Sequence, residues 1–298
     1  MTDRTDRTSG HHTRRRFLEV AGAGIAVLAA GGAAAEKKAK KAKKDKQRPP
    51  APPARKLPLE LGLASYTLRK FPLDQALQMT RRVGLEFICL KSFHLPLEAT
   101  ADQIAEAAAA VKKAGLVLYG GGVISMGNEA EVNRAFDYAK AAGMKTIVAA
   151  PRPEVLPLVN RKVQEYGIQV AIHNHGPGDK TYPTPQSVYE KVRELDPRIG
   201  LCIDVGHTAR IGADPVADAE KYADRLLDVH VKDVSAAAPQ GDTVEIGRGV
   251  IDIPRLLKTL LRIQYRGIVA FEYEKDEADP LPGLAESIGY CRGVLAAL

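Results

Sequence analysis

The stretch LCIDVGH at residues 201–207 decides the fold of this chain. It opens with apolar residues that do not alternate with polar ones, which predicts a strand buried on both faces, as in parallel sheets. The run then ends on Asp204, Gly206 and His207. A carboxylate in such a strand is costly unless a metal ion or a hydrogen-bonded active site compensates its charge. From this stretch alone there is an alternative interpretation, in which Asp204 only caps the following helix and His207 has no role in a site.

Similar apolar runs recur from residue 57 onward and alternate with amphipathic segments. The predicted strands are 59–66, 86–93, 116–124, 145–150, 168–173, 200–205, 228–232 and 267–273. Helices are predicted between them, for example at 73–83, 101–114, 129–142, 187–195, 215–227 and 253–263. Eight strands alternating with eight helices predict a single α/β domain, a (β/α)₈ TIM barrel spanning 57–298. The first helix lacks a Gly-x-Gly-x-x-Gly opening, which argues against a nucleotide-binding sheet.

Residues 1–35 have the pattern of a twin-arginine (Tat) signal peptide. Arg14 and Arg15 precede a Phe-Leu pair, a Gly-rich apolar run at 20–35 and three closing alanines. An N-terminal anchor helix is the alternative, but the run is shorter than the roughly 20 apolar residues of a membrane span. We therefore expect the Tat export machinery as a partner, a periplasmic or extracytoplasmic location, and no stable membrane span after processing.

Residues 36–56 are rich in lysine and proline, a composition that predicts a disordered linker. This segment and the leader account for the overall net charge of +7. Of the 43 Lys and Arg residues 15 lie before residue 57, as do 5 of the 36 Asp and Glu residues, which leaves −3 for the predicted barrel. The basic balance therefore gives no reason to expect nucleic acid as a partner.

All histidines of the predicted barrel fall at strand ends or in the last strands: His94, His173, His175, His207 and His230. Glu272 lies in the eighth predicted strand. Active sites of such barrels lie at the C-terminal ends of the strands, where these side chains would meet. The alternative is that each histidine is a core residue whose ring is hydrogen-bonded within the protein. This explanation is less convincing for all five histidines together than for any one of them.

Four consecutive strands supply His173, Asp204, His230 and Glu272, which can converge on one point. Two imidazoles and two carboxylates suit one divalent ion such as Mn²⁺, Zn²⁺, Fe²⁺ or Co²⁺, and the nitrogens argue against a Ca²⁺ site. Lys232, two residues after His230, is predicted to hold a substrate hydroxyl or an oxyanion. A merely solvated lysine is the alternative for that position.

The motifs DVGH at 204–207, HVKD at 230–233 and GRG at 247–249, followed by Glu272, resemble the xylose-isomerase-like TIM barrel superfamily of sugar phosphate isomerases and epimerases. The resemblance covers roughly 57–298. It implies that Asp204, His230 and Glu272 are metal ligands and that His207 and Lys232 contact the substrate.

The sequence departs from the ketose 3-epimerases of this superfamily at one ligand position. Those enzymes carry a glutamate where this chain has His173, and they use two glutamates on opposite faces of the sugar. We therefore expect Glu272, His175 and His207 to be catalytic, and His94, His175, His207 and Lys232 to bind substrate.

The function expected from these residues is metal-dependent sugar isomerisation or epimerisation, by proton transfer next to a carbonyl of a sugar or keto-sugar. A 3-keto-glycoside lyase or hydratase and a non-catalytic, exported sugar-binding module are the alternatives. The apurinic endonucleases of the superfamily need an extra histidine before the Ile-Gly-x-Gly turn. Segment 241–245, GDTVE, lacks this histidine.

Overall fold

A computed structural model describes residues 58–298 and shows a closed barrel of eight parallel strands. The described residues form ten strands, of which eight belong to the barrel. They are β1 (Glu60–Ala64), β2 (Phe87–Leu90), β3 (Val117–Met126), β4 (Thr146–Pro151), β5 (Gln169–His173), β6 (Ile199–Asp204), β7 (Leu226–Val231), β8 (Asp233–Val234), β9 (Thr243–Val244) and β10 (Ile268–Phe271). The barrel order is β1-β10-β7-β6-β5-β4-β3-β2, while β8 and β9 form a separate antiparallel pair. The predicted TIM barrel is confirmed. The predicted leader and linker lie outside the described residues.

Helices follow the barrel strands and cover the outside of the barrel. They are α1 (Leu73–Arg82), α2 (Ala101–Lys113), α3 (Glu129–Ala141), α4 (Leu156–Tyr166), α5 (Pro185–Val192), α6 (Val205–Arg210), α7 (Pro215–Lys221), α8 (Ile253–Arg262) and α9 (Leu281–Ala297). No helix among residues 58–298 is long and apolar enough to cross a membrane.

Two predicted helices have different bounds in the structure. The helix predicted at 187–195 begins earlier, because Thr184 caps it by accepting a hydrogen bond from the backbone N–H of Ser187 at 2.9 Å. The helix predicted at 215–227 ends at Lys221, and a short 3₁₀ turn at Ala223–Arg225 leads into β7.

The strand register brings the ends of β5, β6, β7 and β10 together. His173 is paired with Cys202, and Asp204 is paired with His230. On the other side of β7, Ala270 is paired with His230, and the backbone N–H of Glu272 donates to the carbonyl of Val231 at 3.0 Å. In parallel strands these residues share one edge, so four ionisable side chains enter the same end of the barrel.

Asp233 fixes the loop that follows β7. Its carboxylate accepts hydrogen bonds from the backbone N–H groups of Val234, Gly247, Gly249 and Ile251, at 2.9–3.1 Å. A Cβ at Gly249 would lie 2.2 Å from Asp233 Oδ1, so only glycine permits this approach. The aspartate of HVKD and the second glycine of GRG therefore have a structural role beside the site.

Candidate active site

A cluster of four buried side chains lies at the C-terminal end of the barrel: His173, Asp204, His230 and Glu272. One donor atom from each lies within 4.8 Å of all the others. His173 Nε2 is 3.1 Å from His230 Nδ1 and 3.4 Å from Asp204 Oδ2, and His230 Nδ1 is 3.2 Å from Glu272 Oε2. Each of the four residues is at most 4% exposed. The structure thus brings together all four predicted ligands.

The two oxygens of Asp204 have different roles. Oδ1 accepts a hydrogen bond from the backbone N–H of His207 at 2.7 Å and caps α6. Oδ2 faces the cluster, 3.4 Å from His173 Nε2 and 2.9 Å from Lys232 Nζ. The buried Asn174 holds the strand end, because its side-chain carbonyl accepts from the Asp204 N–H at 3.0 Å. Both interpretations of Asp204, as a helix cap and as a site residue, are therefore compatible with the structure.

Two lysines hold Glu272. Lys91 Nζ is 2.8 Å from Glu272 Oε1, and Lys232 Nζ donates to Oε2 at 3.0 Å. Lys91 is a site residue that was not predicted from the sequence; it follows β2 directly and is only 7% exposed. The signal available for it was its position at a strand end, shared with the histidines.

Lys232 is fully buried, so the interpretation as a solvated lysine is wrong for this residue. Its Nζ lies 2.9 Å from Asp204 Oδ2, contacts Glu272 and also donates to Glu274. Gly206 leaves the room for this side chain, because a Cβ there would lie 2.4 Å from Lys232 Cγ. Lys232 therefore shares its carboxylate partners with the metal site that the sequence predicts.

Burial and ion pairing act in opposite directions on these groups. Burial alone would raise the pKa of Glu272 and of Asp204. The neighbouring cationic and hydrogen-bonding groups, Lys232 foremost among them, together outweigh burial, so both pKa values lie well below their ordinary range. Burial would lower the pKa of Lys232, but Asp204 and Glu272 hold it well above its ordinary value. Burial lowers the pKa of His173 well below its ordinary value. The result is a neutral imidazole beside ionised carboxylates, which are the protonation states of metal ligands.

The donor geometry fits a small divalent ion. Tetrahedral ligands at 2.0–2.2 Å from a metal lie about 3.3–3.6 Å apart. Four of the six residue pairs in the cluster bring donor atoms to 3.1–4.0 Å, from the His173–His230 pair to the His173–Glu272 pair. Two nitrogens and two carboxylate oxygens match the preferences of Mn²⁺, Zn²⁺, Fe²⁺ and Co²⁺. His173, Asp204, His230 and Glu272 would hold such an ion.

A cavity of about 420 Å³ opens above the cluster. This volume lies within the range of small-molecule sites. Its wall includes His173, His175, His207, Glu272, Glu274 and Lys91. The His175 ring lies 4.5 Å from the His173 ring and 6.0 Å from the His207 ring, centre to centre. The pKa of His175 is lowered mainly by burial and, to a smaller extent, by the nearby His207. The predicted catalytic histidines thus line the same cavity as the cluster.

His94 is not brought to this cavity. Its Nδ1 is 2.8 Å from Ser65 Oγ and its Nε2 is 3.0 Å from the carbonyl oxygen of Phe71. With both ring nitrogens bonded to the chain and only 7% of the residue exposed, His94 ties two loops together. The structure gives no support to its predicted contact with substrate.

Comparison with known proteins identifies the family to which the chain belongs. The sequence profile described as the xylose isomerase-like TIM barrel matches residues 77–294. The chain belongs to this family. The motifs at 204–207 and 230–233 and Glu272, which carried the resemblance, all lie within the matched region.

Curated relatives in this family match part of the chain. A rhizopine catabolism protein from Rhizobium meliloti is 34% identical over 138 residues, which are 40% of this chain and 42% of that protein. An inosose dehydratase from Clostridium beijerinckii is 27% identical over 136 residues, which are 40% of this chain and 45% of that protein. The chain therefore aligns with less than half the length of these relatives.

Solved structures show the same fold at lower identity. The apo crystal structure of a 3-keto-D-glucoside 4-epimerase from E. coli superposes with a TM-score of 0.65 at 17% identity, covering 79% of this chain and 99% of that chain. At this identity the likeness concerns the barrel alone. Epimerases and dehydratases are thus both among the proteins that this chain resembles.

Proposed function

We propose that the protein is a divalent-metal-dependent enzyme that moves a proton next to a carbonyl of a sugar or keto-sugar. The observation that carries this proposal is the convergence of His173, Asp204, His230 and Glu272 beneath a cavity of about 420 Å³. A non-catalytic sugar-binding module has no need of four buried, ionisable groups at the base of its cavity, where burial is costly.

The residues divide into a metal-holding group and a substrate-facing group. A bound divalent ion would polarise the carbonyl and stabilise the negative charge that develops on its oxygen. Lys232 and Lys91 keep Glu272 ionised and fix the directions of its two oxygens. His175 and His207 remain on the cavity wall as the imidazoles that accept or donate the proton.

Elimination, as in a dehydratase or a 3-keto-glycoside lyase, is the second candidate reaction. Epimerisation needs proton-transfer groups on two faces of the sugar, whereas His175 and His207 lie side by side, 6.0 Å apart, in one cavity wall. Such a pair suits removal of a proton and protonation of the leaving group on the same face. Glu272 is pinned by two lysines and His230, which leaves it poorly placed to act as an opposite base.

Metal content tests the site independently of any substrate. Asp204→Asn and His230→Ala are expected to lose bound metal, measured by elemental analysis after dialysis, because each removes a cluster donor. Asp228→Asn is the matched control. Asp228 is also buried on β7, but its Oδ2 accepts from Tyr119 at 3.3 Å and takes no part in the cluster. Full metal content in both cluster variants would rule this site out.

Solvent deuterium exchange tests the chemistry. Metal-loaded protein is incubated in D₂O with ketoses and, in parallel, with 3-keto-glucosides. Exchange beside the carbonyl without loss of a substituent supports an isomerase or epimerase, and exchange with release of the aglycone or of water supports elimination. No exchange in either class, with metal fully loaded, would refute proton transfer and favour the binding module.

Cellular location is a separate proposal. We propose that the barrel works outside the cytoplasm after Tat export, on the strength of the residue 1–35 pattern alone.

A further inference from the structure

Two aromatic side chains stand exposed at the mouth of the cavity. Tyr66 is 36% exposed and Phe93 is 47% exposed, and both line the cavity above the cluster. Their ring centres are 6.0 Å apart, within the range of an aromatic pair. Exposed apolar surface of this kind beside a cavity marks a ligand-binding region more often than a scattered surface residue does.

The loops that carry the two rings are held in place by buried hydrogen bonds. Ser65 Oγ accepts from the backbone N–H of Lys91 at 2.8 Å and lies 2.8 Å from His94 Nδ1. The Phe93 ring packs edge-on against the His94 ring, with centres 4.9 Å apart. His94 therefore positions the aromatic pair, which explains a strand-end histidine that does not enter the cavity.

Lys91 connects the aromatic pair to the cluster of His173, Asp204, His230 and Glu272. Lys91 Nζ lies 5.7 Å from the Tyr66 ring centre and 2.8 Å from Glu272 Oε1, so one lysine separates the ring from a predicted metal ligand. The Arg69 guanidinium lies 4.6 Å from the Tyr66 ring centre. Arg69 is itself held by Glu277, with Nε donating at 3.0 Å. A ligand seated over the cluster and extending toward these loops would meet the two rings, because both line the same cavity.

We propose that Tyr66 and Phe93 form a subsite for a second ring, so that the substrate is a glycoside rather than a free monosaccharide. This proposal rests on the proposed function, because it places the reacting ring over the cluster. A flat, apolar ring face is the chemistry that two exposed aromatic rings recognise. Both a second sugar ring and an aromatic aglycone present such a face.

Binding of inert glycosides tests the subsite without turnover. The affinities of methyl β-glucoside, cellobiose and phenyl β-glucoside are measured by calorimetry on the full chain, with and without added Zn²⁺. At least one two-ring ligand is expected to bind about tenfold more tightly than the methyl glycoside, the scale of one aromatic contact. Cellobiose and phenyl β-glucoside separate a sugar from an aromatic second ring.

Variants show whether the aromatic pair is responsible. Phe93→Ala and Tyr66→Ala are each expected to abolish the preference for two rings while leaving the affinity for methyl β-glucoside within about twofold. Tyr290→Ala is the matched control, because Tyr290 is 38% exposed on α9 and does not line this cavity. The melting temperature of each variant reports that it is folded, and Phe93→Leu supplies a milder change at the same position.

Equal affinity for one-ring and two-ring ligands would overturn the subsite, as would a two-ring preference that survives both alanine variants. A dimer that dissociates in these variants, with the preference unchanged, would overturn it in favour of an interface between copies. Failure of the proposed function has a different signature. The two-ring preference would remain, but no keto-sugar would exchange deuterium with solvent.

Discussion

Replacing Lys232 by methionine tests the charge balance of the cluster. The Lys232 side chain is fully buried, and its Nζ lies 2.9 Å from Asp204 Oδ2 and 3.0 Å from Glu272 Oε2. Removing one partner of a buried ion pair costs about 3–5 kcal/mol, because the remaining charges lose their compensation. In a barrel of this size that loss lowers the melting temperature by roughly 10 °C.

The assay is thermal unfolding with EDTA and with excess Mn²⁺. In EDTA, Lys232→Met is expected to show the full loss. With Mn²⁺ the loss should shrink to less than half, because the ion compensates Asp204 and Glu272 and no longer meets the repulsion of the ammonium group. The variant should therefore gain more from metal than the unmodified protein does.

Lys162→Met is the matched control for this experiment. Lys162 Nζ is 3.0 Å from Glu165, whose side chain is 59% exposed, so the pair is worth about 0–1 kcal/mol. Its melting temperature should fall by no more than about 3 °C under both conditions. If Lys232→Met unfolds at the unmodified protein's temperature in EDTA, the lysine does not compensate the carboxylates. A loss of equal size with and without Mn²⁺ would refute metal binding between them.

Three further predictions concern other parts of the chain. His207→Ala should lower turnover by about 100-fold or more with metal content unchanged, the effect of a lost acid or base; unchanged deuterium exchange would remove it from the chemistry. Hydrogen bonds from Arg198 lower the pKa of Asp196 to about 2, so this carboxylate contributes stability above its unfolded pKa that is lost as the pH falls through about 2. Arg198→Met should lower the free energy of unfolding at pH 7 only slightly, since Arg198 is 41% exposed, and the difference should vanish below pH 2 in urea titrations; a pH-independent loss would contradict the linkage. Lysine at both Arg14 and Arg15 should retain the protein in the cytoplasm, and unchanged export after cell fractionation would identify another kind of signal.

The barrel is the part of this protein that the sequence predicts best. Buried parallel strands leave long apolar runs such as the one that ends at Asp204, and the alternation with amphipathic helices needs no long-range information. Helix bounds are less predictable. The start of α5 depends on the cap at Thr184, and the end of α7 on where β7 joins the sheet.

Long-range pairing limits what can be predicted of the site. His173 and Asp204 are recognisable because imidazoles and carboxylates are rare in buried strands. Lys91 looks like an ordinary surface lysine until the fold brings Glu272 to it. Lys232 is predicted as a substrate contact, but its ion pair with Glu272 is visible only in the fold. His94 shows the opposite case, because its position after a strand resembles that of the other histidines while its ring turns to Ser65 and Phe71.

Anomalous diffraction at the manganese edge, from crystals of the chain grown with Mn²⁺, locates the ion directly. A single peak is expected within about 2.0–2.3 Å of one donor atom from each of His173, Asp204, His230 and Glu272. Asp228→Asn crystals should show the same peak, and Asp204→Asn crystals should lack it. A cluster without anomalous signal in the unmodified protein, with Lys232 still between Asp204 and Glu272, would contradict metal-dependent catalysis at this site.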